Sequence, residues 1–310
     1  MIINSQLGGT KPTGTKNITT NGTHDVSGYA NADVNVPTTA PTYYVEKTYS
    51  CDFLQAYTDH SIINLSNVKN LNDYVLAYAY YSQSSGNITL DMSGLTGCVG
   101  KSACEQMFGS GILIRNIVKS VDLSSLQTVS GENAFNAFCR SQTGLTTINL
   151  NSLQTVSGVS AFAYAFSGCT GLTSISLPAL TTISARNGCF HMFDSCTNLT
   201  SIDISALTTV SGQQGASYMF NNCNKLTSVT LQNLTTISGT YGCGYMFQDC
   251  ASLQTVSFPA LKTVVNAYVF MSMLERVTGC TVHFPSNLSS YNFNCGGTNT
   301  TVLYDLPATN

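Results

Sequence analysis

One pattern in this chain excludes most folds. Leu126, Leu153, Leu180, Leu207, Leu234 and Leu261 each open a segment, and each step between them is 27 residues. From Leu153 the segment reads LQTVSGVSAFAYAFSGCTGLTSISLPA, and from Leu207 it reads LTTVSGQQGASYMFNNCNKLTSVTLQN. Aligned this way, columns appear: Phe166, Phe193, Phe220 and Phe247 form one, and Cys169, Cys196, Cys223 and Cys250 another. An imperfect copy precedes them, with Leu95, Cys104 and Phe108 at matching offsets. Self-similarity at a fixed period of this size marks a solenoid, in which each coil buries its apolar face only by stacking on its neighbours.

The local patterns say what a coil contains. Leu172-x-x-Ile175-x-Leu177 has leucine-rich-repeat spacing, and its later part alternates as a strand does. Leu180-Thr-Thr-Ile183 is a second short β-prone stretch. Phe162, Ala165 and Phe166 sit at i, i+3 and i+4, which predicts one helical turn with an inward apolar face. Gly, Ser and Asn pairs such as Ser157-Gly158 and Ser211-Gly212 form the turns between. The expected fold is therefore a β-rich solenoid with two short strands and one helical turn in each 27-residue coil.

The string from Phe166 to Ile183, F-x-x-C-x-x-L-T-S-I-x-L-P-x-L-T-T-I, resembles the BspA-like leucine-rich repeat over roughly Leu95 to Phe284. Extra residues in the turn before the helical piece depart from the shorter repeat usual there. The resemblance implies a right-handed solenoid used in adhesion and binding, with no catalytic residues to carry over. A second resemblance lies at the ends. Thr15 to Tyr29, continuing to Asp33-Val-Asn-Val-Pro37, is similar to a small β module that begins virion proteins of phages infecting Gram-positive gut bacteria. Gly296 to Leu303 is similar to the ending of phage or prophage repeat proteins.

These readings divide the chain into a small β module and linker at 1–41, an amino-terminal cap at 42–94, the solenoid at 95–284 and a carboxy-terminal cap at 285–310. The leading module would attach to other virion proteins, and the solenoid would bind a host-surface glycan or protein.

Composition narrows the function. Only 9% of residues are charged and the net charge is −3, so no basic footprint for nucleic acid exists. No apolar run reaches the length of a bilayer span, which argues against membrane insertion. Met1 to Thr10 shows neither a basic nor an apolar signal region, an expectation that places synthesis and folding in a host cytoplasm. That favours a virion location; a bacterial cell surface is the alternative and requires an export signal. Twelve cysteines in such a compartment are expected as free thiols. Their column lacks the converging four-ligand geometry of zinc, so they are assigned to packing, with neither metal nor cofactor.

Catalytic patterns are missing from the sequence. The four histidines stand outside any H-E-x-x-H motif, and no G-x-S-x-G or phosphate-cradling loop occurs. Asp122 and Asp203 sit on outward strand positions three coils apart, too far for a carboxylate pair. A non-enzymatic phage fibre or appendage leads, an exported BspA-like surface adhesin follows, and a glycan-degrading tail protein comes third. A homo-oligomer is possible, although nothing encodes a coiled coil.

Two sets of residues are candidate binding positions. Tyr164, His191, Tyr218 and Tyr245 recur two residues before each buried Phe and could form an aromatic stripe that stacks on sugar rings or a protein partner; equally, the rings could cover gaps between coils. Beside them, Val159-Ser160, Arg186-Asn187, Gln213-Gln214 and Thr240-Tyr241 vary while flanking columns do not. Arg186, Gln213 and Tyr241 are the members assigned to binding, with neutral drift at exposed turns as the alternative.

Overall fold

The computed structural model describes residues 87–109 and 116–309, with 16–17, 34–35, 62–64 and a few positions between 66 and 77. It is a parallel-strand solenoid. The two-residue strands of successive coils, from Gly97–Cys98 to Thr263–Val264, form one seven-stranded parallel sheet. Its register is the repeat itself: Thr155 pairs with Thr182, Thr182 with Thr209, and Thr209 with Thr236. The leucine-rich-repeat strands, such as Ser174–Ser176 and Ser201–Asp203, also pair in parallel 27 residues apart. Alternation along them (exposed, buried, exposed in Ser174–Ser176) turns Ile175 inward and the serines outward.

The third side of each coil departs from the expected helical turn. Ser160 and Tyr164 have φ of 52° and 56°, and Gly168 has φ of 73°. The same left-handed positions recur at Asn187, His191 and Ser195, at Gln214, Tyr218 and Asn222, and at Tyr241, Tyr245 and Asp249. An α-helix needs negative φ throughout, so each coil instead carries three successive four-residue turns. The hydrogen bonds give the physical reason. Ala161, Ala163, Ala165 and Ser167 donate N–H back three residues within their own coil. Phe162, Tyr164, Phe166 and Gly168 donate to Gly188, Phe190, Met192 and Asp194 of the next coil, at 2.7–2.9 Å. A helix would spend all these donors inside one coil. The turn chain spends half of them holding coils together.

The core runs unbroken along the axis. Phe166, Phe193, Phe220 and Phe247 are fully buried, and their rings stack 5.5, 5.7 and 6.0 Å apart. The stack ends at Phe138, which meets Phe166 edge-on at 85° because Cys139 takes the preceding position in that coil. Among the described residues all eleven cysteines are free and buried. Each thiol of the column donates to a carbonyl one coil back: Cys196 to Phe166 at 3.3 Å, Cys223 to Phe193 at 3.4 Å and Cys250 to Phe220 at 3.1 Å. Cysteine suits the position because it is small, apolar and still a weak donor.

Strand pairing continues beyond Leu95 and Phe284. Ile62–Asn64 pairs with Ile88–Asp91, inside the segment expected as the amino-terminal cap. Thr301–Leu306 pairs with Thr281–Pro285, inside the one expected as the carboxy-terminal cap. Lys16–Asn17 and Val34–Asn35 form a short parallel pair within the leading module; the rest of that module, His24 included, lies outside the described residues, as does His60 of the following segment. No helix among the described residues is long and apolar enough to cross a membrane.

Candidate functional site

The four-residue turns decide where the candidate side chains point. Tyr164, His191, Tyr218 and Tyr245 all occupy the middle left-handed position of their coil, which projects them to the rim, half-buried. Coils stack at about the strand spacing of ~4.8 Å, and aromatic rings also prefer that separation. The rings consequently stack on one another: Tyr164 on His191 at 4.7 Å, His191 on Tyr218 at 4.4 Å and Tyr218 on Tyr245 at 4.6 Å, all within 11° of parallel. Phe190 closes one flank, edge-on to Tyr164 and Tyr218 at 5.6 Å. Arg140 covers the outer face of Tyr164, with its guanidinium carbon 4.8 Å from the ring centre.

This geometry limits what the stripe can do. Both faces of His191 and Tyr218 are covered by neighbouring rings, so only edges and hydroxyls remain for a ligand. Stacking of a sugar on those faces is sterically closed. Burial pushes the Tyr164 hydroxyl above its ordinary value, opposed by Arg140; burial does the same at Tyr218.

A polar cluster lies beside the stripe. Asp194 accepts from Asn221 Nδ2 at 2.7 Å, Ser195 Oγ at 3.1 Å and Ser167 Oγ at 3.3 Å. His191 Nδ1 stands 3.3 Å from Asp194 Oδ2, within charge contact but off the line of a hydrogen bond. Burial alone would raise the Asp194 carboxyl; His191, Asn221 and Ser195 together hold it below the ordinary carboxylate value. Three coils carry members of this cluster, so it fastens coils together as well as lining the rim.

The variable pairs split into two kinds. Val159, Arg186, Gln213 and Thr240 are exposed, while Ser160, Asn187, Gln214 and Tyr241 hold the first left-handed position. The first member of each pair has its side chain in solvent, while its carbonyl accepts an N–H from the preceding coil. Arg186 and Gln213 stand on successive coils in this exposed row, and Tyr241 lies beside it.

The outward carboxylates have structural work. Asp91, Asp122 and Asp203 each accept an N–H from the residue two positions on, Ser93, Ser124 and Ser205, closing the turn after the strand. Ser205 donates through both its hydroxyl and its N–H, and these bonds lower the Asp203 carboxyl. Among the described residues no group of His, Cys, Asp and Glu could hold a metal ion.

Sequence reasoning missed three contributors: Arg140, Asp194 and Tyr268. Each was reachable by extending a column. Arg140 precedes Ser167 by one repeat, Asp194 follows it by one, and Tyr268 follows Tyr241 by one.

The class that this architecture defines is a leucine-rich-repeat solenoid. The BspA type leucine rich repeat region matches residues 111–213 and 133–276 in six copies, more than half of the chain. The chain therefore belongs to the BspA-type leucine-rich-repeat family. Similar solved structures include a leucine-rich repeat protein from Bacteroides ovatus ATCC 8483, 18% identical, covering 84% of this chain and 87% of that one, with a TM-score of 0.28. The pneumococcal vaccine antigen PcpA is 11% identical over 79% of each chain, with a TM-score of 0.27. A leucine rich cell surface protein from Faecalibacterium prausnitzii A2-165 is 16% identical, covers 94% of this chain and 90% of that one, and has a TM-score of 0.26. No curated protein matches the sequence.

Proposed function

We propose that this protein is a non-enzymatic adhesion protein, carried on a phage virion as a fibre or appendage, whose solenoid binds a glycan or protein on a host surface. One observation carries the adhesion reading. The scaffold columns repeat from coil to coil, while the exposed row Val159, Arg186, Gln213 and Thr240 changes identity at every step. A rigid frame with a varied, weakly charged rim is suited to recognition. The outward Asp91, Asp122 and Asp203 each close the turn after their strand, a structural use that fits a binding scaffold.

The virion assignment rests on the likeness of 15–37 and 296–303 to phage modules. Membership in the BspA-type family favours a second carrier, the surface of a bacterium, with the same rim as the binding face.

The test is binding of the full-length protein to intact Gram-positive gut bacteria and to their isolated wall glycans and surface proteins. Saturable binding that weakens when Arg186, Gln213 and Tyr241 are replaced together by Ala supports adhesion through this rim. Undiminished binding removes the rim from the function. Immunogold labelling of particles and of producing cells separates the two carriers.

A further inference from the structure

Most of the rim is polar, with a few apolar positions. The row Ser130, Ser157, Ser184, Ser211 and Ser238 ends in Val265, one repeat further on. The neighbouring row passes from Asn187 and Gln214 to Tyr241 and Tyr268. Toward the last two coils both rows turn apolar, and Tyr268 is 57% exposed and Val265 51%; elsewhere on the rim single apolar residues, Val99 at 62% and Val159 at 46%, are exposed too. An exposed apolar patch rimmed by polar groups on an otherwise polar surface marks a contact site.

Here the rings are not spent on each other. Tyr241 and Tyr268 lie 6.2 Å apart at 49°, so their planes diverge as a wedge instead of stacking like the Tyr218–Tyr245 pair. The Tyr268 backbone is held as the second residue of a short 3-10 turn, Ala267–Phe270, capped by Asn266, whose Oδ1 accepts the Tyr268 N–H at 2.9 Å. The residues flanking the two rings, Gln214, Ser238, Thr240, Asn266 and Ala267, carry no charge.

We infer that Tyr268 and Tyr241 form a subsite for one neutral pyranose residue of a glycan. The C–H face of the sugar would rest on the Tyr268 ring, whose face is electron-rich. Its equatorial hydroxyls would meet the amide of Asn266 and the hydroxyl of Thr240. An ionic ligand finds no counter-charge among these flanking residues, and a bulky apolar one would leave the polar flank unpaired. The subsite deepens the adhesion reading and rests on it. It assigns the sugar to the last two coils, where ring faces are free, and not to the closed aromatic stripe.

Methyl glycosides of glucose, galactose, mannose and N-acetylglucosamine would be titrated into the full-length protein, with saturation-transfer NMR on the sugar protons. The expected result is saturable binding of at least one glycoside, weakened about tenfold or more in Tyr268→Ala, the scale of a lost stacked ring. Tyr268→Phe keeps the ring face and should retain binding; Tyr218→Ala should retain it too. Tyr268 is exposed, so matching melting curves show that the variant is folded. Binding of no glycoside, equal binding in Tyr268→Ala, or a proline-rich peptide bound at Tyr268 in place of the glycosides would each overturn the subsite. Cell binding that survives Tyr268→Ala, with glycoside binding equally unchanged, rejects the subsite and leaves adhesion standing. Loss of glycoside binding without loss of cell binding keeps the subsite and rejects it as the site of adhesion.

Discussion

The rings of Tyr218 and Tyr245 lie 4.6 Å apart and within 1° of parallel, although their residues are separated by a full coil. Both also hold left-handed backbone, at φ 56° and 57°. For residues other than Gly that conformation costs roughly 1–2 kcal/mol each. Ring stacking and inter-coil hydrogen bonds offset the cost, and the two effects can be separated.

Tyr218→Ala removes the ring and keeps the backbone strain. Tyr218→Gly removes the same ring and relieves the strain. Tyr218→Ala should be destabilised by about 2–3 kcal/mol, from lost burial and the lost ring contacts with Phe190, His191 and Tyr245. Tyr218→Gly should be about 1 kcal/mol more stable than Tyr218→Ala, the reverse of the usual order within a helix. Urea denaturation of the two variants measures the difference. The usual order, with Ala the more stable, would mean the turn does not hold left-handed backbone.

The periodicity made the strands and buried columns legible, because apolar spacing at 27 residues has only one packing solution. The third side was not legible. Apolar residues at i, i+3 and i+4 fit a helical turn, and they fit equally a run of four-residue turns that leaves the same positions inward. The discriminating signal was weak: Gly168, Ser195, Asn222 and Asp249 share a column, and Gly and small polar residues such as Asn and Asp tolerate left-handed backbone better than most. The aromatic stripe was visible as a column. Its closed faces follow only once coil spacing is set beside ring-stacking distance. Tyr268 escaped notice because its coil carries Leu274 and Val277 where the earlier coils carry the Phe and Cys landmarks, although Tyr268 itself keeps the 27-residue step from Tyr241.

Asp194 should make stability sensitive to acid. Its folded carboxyl lies below the ordinary value of 3.8, so the native state favours the ionised form. The contribution is fully present above the unfolded value and is lost as pH falls through the lower folded one. Asp194→Asn should cost about 1–3 kcal/mol at neutral pH, because the charge beside His191 is removed and one of the two oxygens that accept from Asn221, Ser195 and Ser167 becomes a donor. The gap between variant and wild type should narrow as pH drops below about 4. Chemical denaturation at pH 7, 5 and 3.5 checks this, and a gap that stays constant would remove Asp194 as the source.

The exposed row should be indifferent to stability. Arg186→Ala, Gln213→Ala and Thr240→Ala remove side chains that the turns do not need, so each should shift unfolding by less than about 0.5 kcal/mol. Asp203→Ala, by contrast, removes the acceptor that closes the turn at Ser205. It should cost about 1 kcal/mol. Melting curves for the four variants test the division between scaffold and surface. A large loss from any exposed-row variant would reassign that position to the frame.

Alkali should unfold this protein through its cysteines. All eleven described thiols are raised above the ordinary thiol value of 9.0, chiefly by burial; Cys98, Cys189 and Cys243 reach about 12. The folded chain therefore keeps protons that the unfolded chain releases above pH 9. Stability is intact below the unfolded value and falls as pH rises, by about 1.4 kcal/mol per buried thiol for each unit beyond it. Summed over the ladder, the loss near pH 10 is on the order of 15 kcal/mol, as large as the whole stability of an ordinary domain. Circular dichroism should show cooperative unfolding between pH 9 and 10.5, and a thiol reagent should label almost nothing at pH 7. Replacing Cys169, Cys196, Cys223 and Cys250 together by Ala trades four weak hydrogen bonds and some volume for four fewer ionisable groups. The variant should be less stable at pH 7, yet its alkaline midpoint should move closer to that of the wild type or pass it. A midpoint that falls in step with the neutral stability would show that tyrosine or backbone chemistry, and not the buried thiols, sets the alkaline limit.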